Sequence, residues 1–284
     1  MIAGFLCAAL LAELAVYAAA GGWLWLAHGV SPWASALLAL LVFFGLRVLV
    51  IGRLAEARAL LVVYTWGQLL QPWLAPRDPA RIEPGILPVL FVHGIYCNAG
   101  VWCRLLRELK QRGSGNLFTM NLEPPLAGID HFARQLGERV EEICRAATVD
   151  KVIVVAHSMG GLVARAWVAR LGGAARTARL VTIASPHHGS LIARRAPGRC
   201  AGELAPDGPW LERLRADEAR AAKVATLSVF SRGDELVLPQ ESSRLEEARN
   251  VELERRGHLE LLLAPEVLRL LAGEIAAARG GSPS

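Results

Sequence analysis

The sequence predicts an α/β fold with a mainly parallel sheet, helices on both faces, and an N-terminal transmembrane helical hairpin in front of it. Three observations predict this. From residue 86 onward, short aliphatic runs alternate with segments of helical periodicity, the pattern of successive βαβ units. One run, Val152-Ile153-Val154-Val155, breaks sharply at Ala156-His157-Ser158-Met159-Gly160 and resumes as a helical pattern from Leu162. Residues 1–53, by contrast, are apolar almost throughout.

The apolar N-terminus accounts for a composition of 53 % hydrophobic residues, against about 45–50 % in soluble domains. In residues 1–27 Glu13 is the one charged side chain, and the length suits a membrane span of about 20 residues. A cleaved signal peptide is the competing reading, with Ala18-Ala19-Ala20 as its cleavage site. It lacks the basic leading region, because no Lys or Arg precedes Arg47. Gly29, Ser31 and Pro32 make a turn, and residues 33–52 form a second apolar stretch. Trp23, Trp25 and Trp33 sit around the connection as interfacial anchors. Residues 1–53 therefore read as a membrane anchor of two transmembrane helices. Arg47, Arg53 and Arg58 lie on the far side of the second span, so the positive-inside rule puts the following domain in the cytoplasm.

Residues 54–85 read as an amphipathic helix followed by a linker punctuated by Pro72, Pro76, Pro79 and Pro84. The catalytic domain is expected over 86–280. Its strands are expected at Pro88 to Gly94, Asn116 to Asn121, Val152 to Val155, Leu180 to Ala184, Val224 to Phe230 and Asn250 to Arg255. Helices are expected at Val101 to Gln111, residues 131–147 (with Phe132, Leu136, Val140 and Ile143 on one face), from Leu162, and at Leu259 to Leu263 and Pro265 to Ala278.

The net charge of +5 is scattered, with no basic stripe and no interleaved aromatics, so nucleic-acid binding is unsupported. A mild attraction to anionic headgroups fits the charge better. The five cysteines, Cys7, Cys97, Cys103, Cys144 and Cys200, have no metal-ligand spacing and read as free thiols, although Cys97 and Cys103 are near enough in sequence to pair. No cofactor or metal is implied.

The break after Val155 carries the chemistry. A serine on a tight strand-to-helix turn is a nucleophile elbow, which needs small residues two before and two after the serine. Ala156 and Gly160 meet that need, with Ala a mild departure from the usual Gly. A serine hydroxyl needs a base, and the base needs a third group to hold its tautomer. His258 follows the last short strand and comes after both Ser158 and Asp234, the order this topology requires. His187 and His188 compete for the role of base. His157 adjoins the serine, and its side chain is expected to point away; His93 is expected to shape its loop. Asp234 lies just past a strand in a Gly-containing loop, with Glu235 as its nearest rival. Backbone N–H groups of Met159 and Ile95 are the expected oxyanion donors.

Pro88 to Gly94 ending in His-Gly, Ala156-His157-Ser158-Met159-Gly160-Gly161, Thr182 to Ser190, Gly233-Asp234 with Val237 and Pro239, and Gly257-His258 together resemble the bacterial triacylglycerol lipase and esterase group of the α/β-hydrolases. The resemblance covers about residues 86–275. It implies carboxylic ester hydrolysis through an acyl-enzyme, with Ser158 as nucleophile, Asp234 as acid, His258 as base, and Ile95 and Met159 forming the oxyanion hole. It also implies a cap over the acyl site from residues 190–222. Two departures limit it: secreted members have no retained membrane hairpin, and no second aspartate is evident for their structural calcium. The expected protein is thus a multi-pass protein of the bacterial inner membrane. Its partners would be the bilayer and a lipid or other acyl-ester substrate. A thioesterase, amidase or acyltransferase on the same triad is the alternative, and a non-enzymatic binding module a more distant one.

Overall fold

The computed structural model describes residues 78–280. The expected hairpin over 1–53 and the amphipathic segment over 54–75 lie outside the described residues. Among the described residues no helix is long and apolar enough to cross a membrane.

The chain begins with β1 (Val89–Val92), a 3-10 turn at Ala99–Trp102, α1 (Cys103–Gln111) and β2 (Leu117–Met120). Then come α2 (Ile129–Ala147), β3 (Val152–His157), α3 (Met159–Arg170), the single turn α4 (Gly173–Arg176) and β4 (Thr177–Ile183). A 3-10 segment at Leu191–Arg195 leads to α5 (Arg199–Glu203), α6 (Pro209–Glu218) and β5 (Thr226–Ser231). After 3-10 turns at Gln240–Ser243 and Glu260–Leu263, which flank β6 (Arg249–Leu253), α7 (Pro265–Ala278) closes the chain. The strands form one sheet in the order β2-β1-β3-β4-β5-β6. Every neighbouring pair is parallel.

The aliphatic runs are continuous because this sheet is covered on both faces. Along β1 and β3, Leu90, Val92, Val152, Val154 and Ala156 face α2 and α3, where they meet Phe132, Leu136, Val140, Leu162 and Val163. On the other face Phe91 packs on Trp102, with ring centroids 5.1 Å apart. α2 ends at Thr148, a residue in the left-handed conformation at φ 53° whose N–H returns to the carbonyls of Cys144 and Arg145.

Several boundaries differ from expectation for identifiable reasons. α2 begins two residues early, where Ile129 N–H is taken up by the Glu203 carboxylate at 2.5 Å. α3 begins at Met159 rather than at Leu162, because the strain of the elbow is confined to one residue. The expected cap needs a larger correction. Trp210, Leu211 and Leu214 of α6 are buried in the same core as α3, and α6 packs directly on α3. Cys200 of α5 and Leu204, just after it, join that core as well. The end of the 190–222 segment is therefore scaffold, and its beginning, residues 190–199, meets the loops that follow β1, β2 and β5 through Pro197, Arg199 and Leu191.

Candidate active site

At the carboxyl end of β3 the chain turns through Ser158, whose φ of 54° and ψ of −127° are unusual for a residue with a side chain. This conformation is held from both sides. Ser158 N–H donates to Ile183 O of β4 at 2.9 Å, and Ser158 O accepts from Gly161 N–H at 3.0 Å. The turn also explains the glycines after it. A Cβ on Gly160 would lie 2.6 Å from Val92 O and 2.7 Å from His93 O, both backbone atoms of the β1 end. A Cβ on Gly161 would lie 2.2 Å from Ser185 Oγ. Ala156, at the usual first glycine position, is accommodated because its methyl joins the core on the α2 side.

Asp234 and His258 are brought together from the loops after β5 and β6. His258 Nδ1 donates to Asp234 Oδ2 at 2.7 Å, and the aspartate is 2 % exposed. The other carboxylate oxygen, Oδ1, accepts from the N–H groups of Leu236 at 2.8 Å and Val237 at 2.9 Å. A carboxylate with three N–H donors is satisfied as an anion and fixes the Nδ1–H tautomer of its histidine. That leaves Nε2 of His258 with the lone pair a base needs. The rival Glu235 reaches the backbone of His258 instead, accepting its N–H at 3.3 Å. Ser231 Oγ ties the acid and base loops together, accepting from Gly233 N–H at 3.0 Å and Arg256 N–H at 2.9 Å. Glu260 Oε2 accepts from Gly257 N–H at 3.1 Å. These supports were not foreseen. The only sequence signal was a serine three residues before Asp234.

Four other histidines have defined surroundings. His187 is fully buried; Arg165 Nη1 donates to its carbonyl at 2.8 Å and to its Nδ1 at 3.3 Å, so its Nε2–H points to Thr182 Oγ1 at 3.0 Å. Burial and the Arg165 charge push its pKa well down, and it is tied to a structural network rather than to the serine. His188 Nε2 donates to Arg244 O at 3.0 Å. His93 Nε2 accepts from Leu122 N–H at 3.1 Å, and its Nδ1–H returns to Gly94 O at 2.8 Å. It shapes the loop after β1 as expected, and burial lowers its pKa to about 4. His157 corrects an expectation. Its ring does not turn away from the site but lies with its centroid 4.7 Å from that of His258. Because Ser158 is the next residue, this contact brings the Asp234–His258 pair to the elbow.

The two residues expected to supply the oxyanion donors lie on either side of this turn. Met159 opens α3, and the first N–H groups of a helix have no partner within it. Ile95 follows Gly94, at which a Cβ would lie 2.8 Å from Ser158 Cβ, so the loop after β1 runs directly against the serine. That loop closes through Tyr96 at φ 55° and a Cys97 N–H to Gly94 O bond of 3.4 Å. No disulfide joins Cys97, Cys103, Cys144 or Cys200. Among the described residues no cluster of His, Cys, Asp and Glu has the arrangement of a metal site.

A parallel sheet of this order, a strained serine after its third strand, and an Asp–His pair from the last two strand ends define an α/β-hydrolase of the lipase and esterase type. Solved structures agree on the fold. The chain is similar to the mature lipase BlEst2 of Bacillus licheniformis, at 18 % identity over 69 % of this chain and 96 % of that one, with a TM-score of 0.60. It is similar to lipase B of Aspergillus fumigatus at 19 % identity, covering 73 % of this chain and 56 % of that one, with a TM-score of 0.63. A structure of the metagenome-derived lipolytic enzymes LipS and LipT is similar at 18 % identity, covering 74 % of this chain and 98 % of that one, with a TM-score of 0.52. No curated protein sequence matches the chain. Residues 88–231 match the palmitoyl protein thioesterase family, and the chain belongs to that family.

Proposed function

We propose that the protein is a serine hydrolase that cleaves lipid acyl esters through an acyl-enzyme intermediate. The observation that carries this reading is the buried Asp234–His258 bond of 2.7 Å brought up to the strained Ser158. In this reading His258 Nε2 takes the Ser158 proton as Oγ attacks the acyl carbonyl. The developing oxyanion is received by the N–H groups of Met159 and Ile95, each donor being worth about 2.7–4 kcal/mol in the transition state. The imidazolium then protonates the leaving group, and water repeats the sequence to release the acid. A second reading, thioester cleavage, uses the same residues and is favoured by the family to which the chain belongs.

The lipid character of the substrate has two supports. One is the expected hairpin over 1–53, which would hold the domain at a bilayer, on the cytoplasmic side by its arginines. The other is the rim of the site. Of the five large apolar residues that stand exposed in the described domain, Tyr96, Leu126 and Leu191 lie in the loops that follow β1, β2 and β4. These loops touch one another. Tyr96 OH donates to Pro197 O, and Arg199 N–H donates to Leu126 O at 3.1 Å. Arg194 and Arg195 are exposed in the same rim and suit anionic headgroups.

The test is labelling of the detergent-solubilised full chain with a fluorescent fluorophosphonate, beside Ser158→Ala and His258→Ala. Labelling that both variants abolish is the expected result; a folded wild type that does not react would overturn the reading. Matched acyl esters and acyl thioesters of graded chain length then separate the two readings by kcat/KM.

A further inference from the structure

We infer that His157 is a positioning residue for His258, acting as a neutral donor that fixes the backbone and supports the ring of the base. The inference rests on the serine-hydrolase reading. His157 is fully buried at the end of β3, and its Nε2 lies 3.3 Å from His258 O. A carbonyl oxygen only accepts, so Nε2 carries the proton and Nδ1 is left with a bare lone pair. Nothing among the described residues donates to that Nδ1. What faces it is the loop after β1, where a Cβ on Gly94 would come within 3.3 Å. A buried imidazole left half satisfied is costly, and a Leu or Phe would fill the same space without the desolvation. The one hydrogen bond that its ring keeps goes to the backbone of the base.

The ring contact points the same way. The His157 and His258 centroids are 4.7 Å apart with an interplanar angle of 56°, and Trp102 meets His157 edge-on at 6.3 Å and 90°. His157 is thus wedged between Trp102 and His258, with its length fixed by the strand that carries Ser158. When His258 accepts the serine proton, a cation forms against the His157 ring, and that ring must be uncharged. Burial holds it so, with the positive charges that His258 and His93 can carry acting in the same direction. The residue therefore links nucleophile and base through one rigid strand end.

Two substitutions in the full-length protein separate positioning from filling. His157→Phe keeps the ring and removes the donor; His157→Gln keeps a donor at the position of Nε2. We expect His157→Phe to lower kcat roughly 10- to 100-fold with KM for a soluble ester little changed, the scale of loss from a small misplacement of a catalytic group. His157→Gln should restore most of that loss. Histidine-selective nitrogen-15 NMR of the wild type should show His157 as the Nε2–H tautomer, unprotonated throughout the titration of His258. A folded His157→Phe with wild-type kcat and pH profile would overturn the inference. So would a His157 that is Nδ1-protonated or cationic, a measurement that decides the matter even where neither variant folds. Loss of fluorophosphonate reactivity in the wild type itself would count against the hydrolase reading and leave the tautomer result to judge this contact.

Discussion

Replacing Asp234 by Asn removes one charge and no heavy atom, yet the geometry dictates a large effect. Three N–H groups point at this carboxylate: those of Leu236 and Val237 at Oδ1, and His258 Nδ1–H at Oδ2. An amide has a single oxygen. If the oxygen faces His258, the NH2 group opposes two backbone donors, one buried and one half-buried. Each donor left unsatisfied costs about 1–3 kcal/mol, so this orientation is worse by about 2–6 kcal/mol. If the oxygen faces the backbone, the NH2 group meets His258 Nδ1, which must give up its proton to Nε2. That tautomer change costs little stability, so the second orientation wins. It leaves the base with a proton where it needs a lone pair. The same exchange in a serine-protease triad lowers kcat about 10⁴-fold, or about 5.5 kcal/mol. We therefore expect Asp234→Asn to melt near the wild-type temperature and to lose about 10⁴-fold in fluorophosphonate labelling rate and in p-nitrophenyl ester hydrolysis. A folded variant within tenfold of wild type on both assays would refute the reasoning and shift the acid role to Glu235.

Other consequences are equally direct. Gly160→Ala places a methyl 2.6 Å from Val92 O and should destabilise the domain by about 1–3 kcal/mol, read as a lower urea midpoint at unchanged slope. His93 is held neutral, with a pKa of about 4 against 6.5 in the unfolded chain. Between those values the unfolded chain takes a proton that the folded one refuses, so stability is complete above pH 6.5 and falls as the pH drops toward 4. The loss is about 3 kcal/mol for this residue alone. Urea midpoints at pH 7 and pH 4.5 should draw together in His93→Asn relative to wild type, and an unchanged gap would contradict the assignment. Leu191→Asp should depress hydrolysis of esters presented in anionic vesicles several-fold while sparing a soluble short-chain ester; equal loss on both would place Leu191 in the site itself.

The fold was legible because a parallel sheet buried on both faces writes itself as aliphatic runs, and the runs at Val89, Val152 and Leu227 are of that kind. The Asp234–His258 pair was legible because chain order and strand-end position are properties of the sequence. Two things were not. The helical turn at Gly173–Arg176 is too short to show a period, and α6 has an apolar set of only Trp210, Leu211 and Leu214, which does not distinguish a cap from a scaffold helix. The supports of the site were hidden for a different reason. Ser231 and His157 act through backbone groups of distant residues, Arg256 and His258, and a backbone N–H or carbonyl leaves no signature in the residue type.

The elbow at Ser158 has a consequence for when reactivity arises. Beyond the local bond from Gly161, its strained backbone is supported from distant strands: the serine N–H is claimed by Ile183, and the glycine two residues on fits beneath the end of β1. β1 is synthesised well before the serine, and the strand that carries Ile183 after it. On the proposed serine-hydrolase reading, a nascent or partly unfolded chain would present an ordinary serine, and acylating power would appear only once both flanking strands have docked. Covalent capture of Ser158 by a fluorophosphonate would then read out native assembly as well as chemistry.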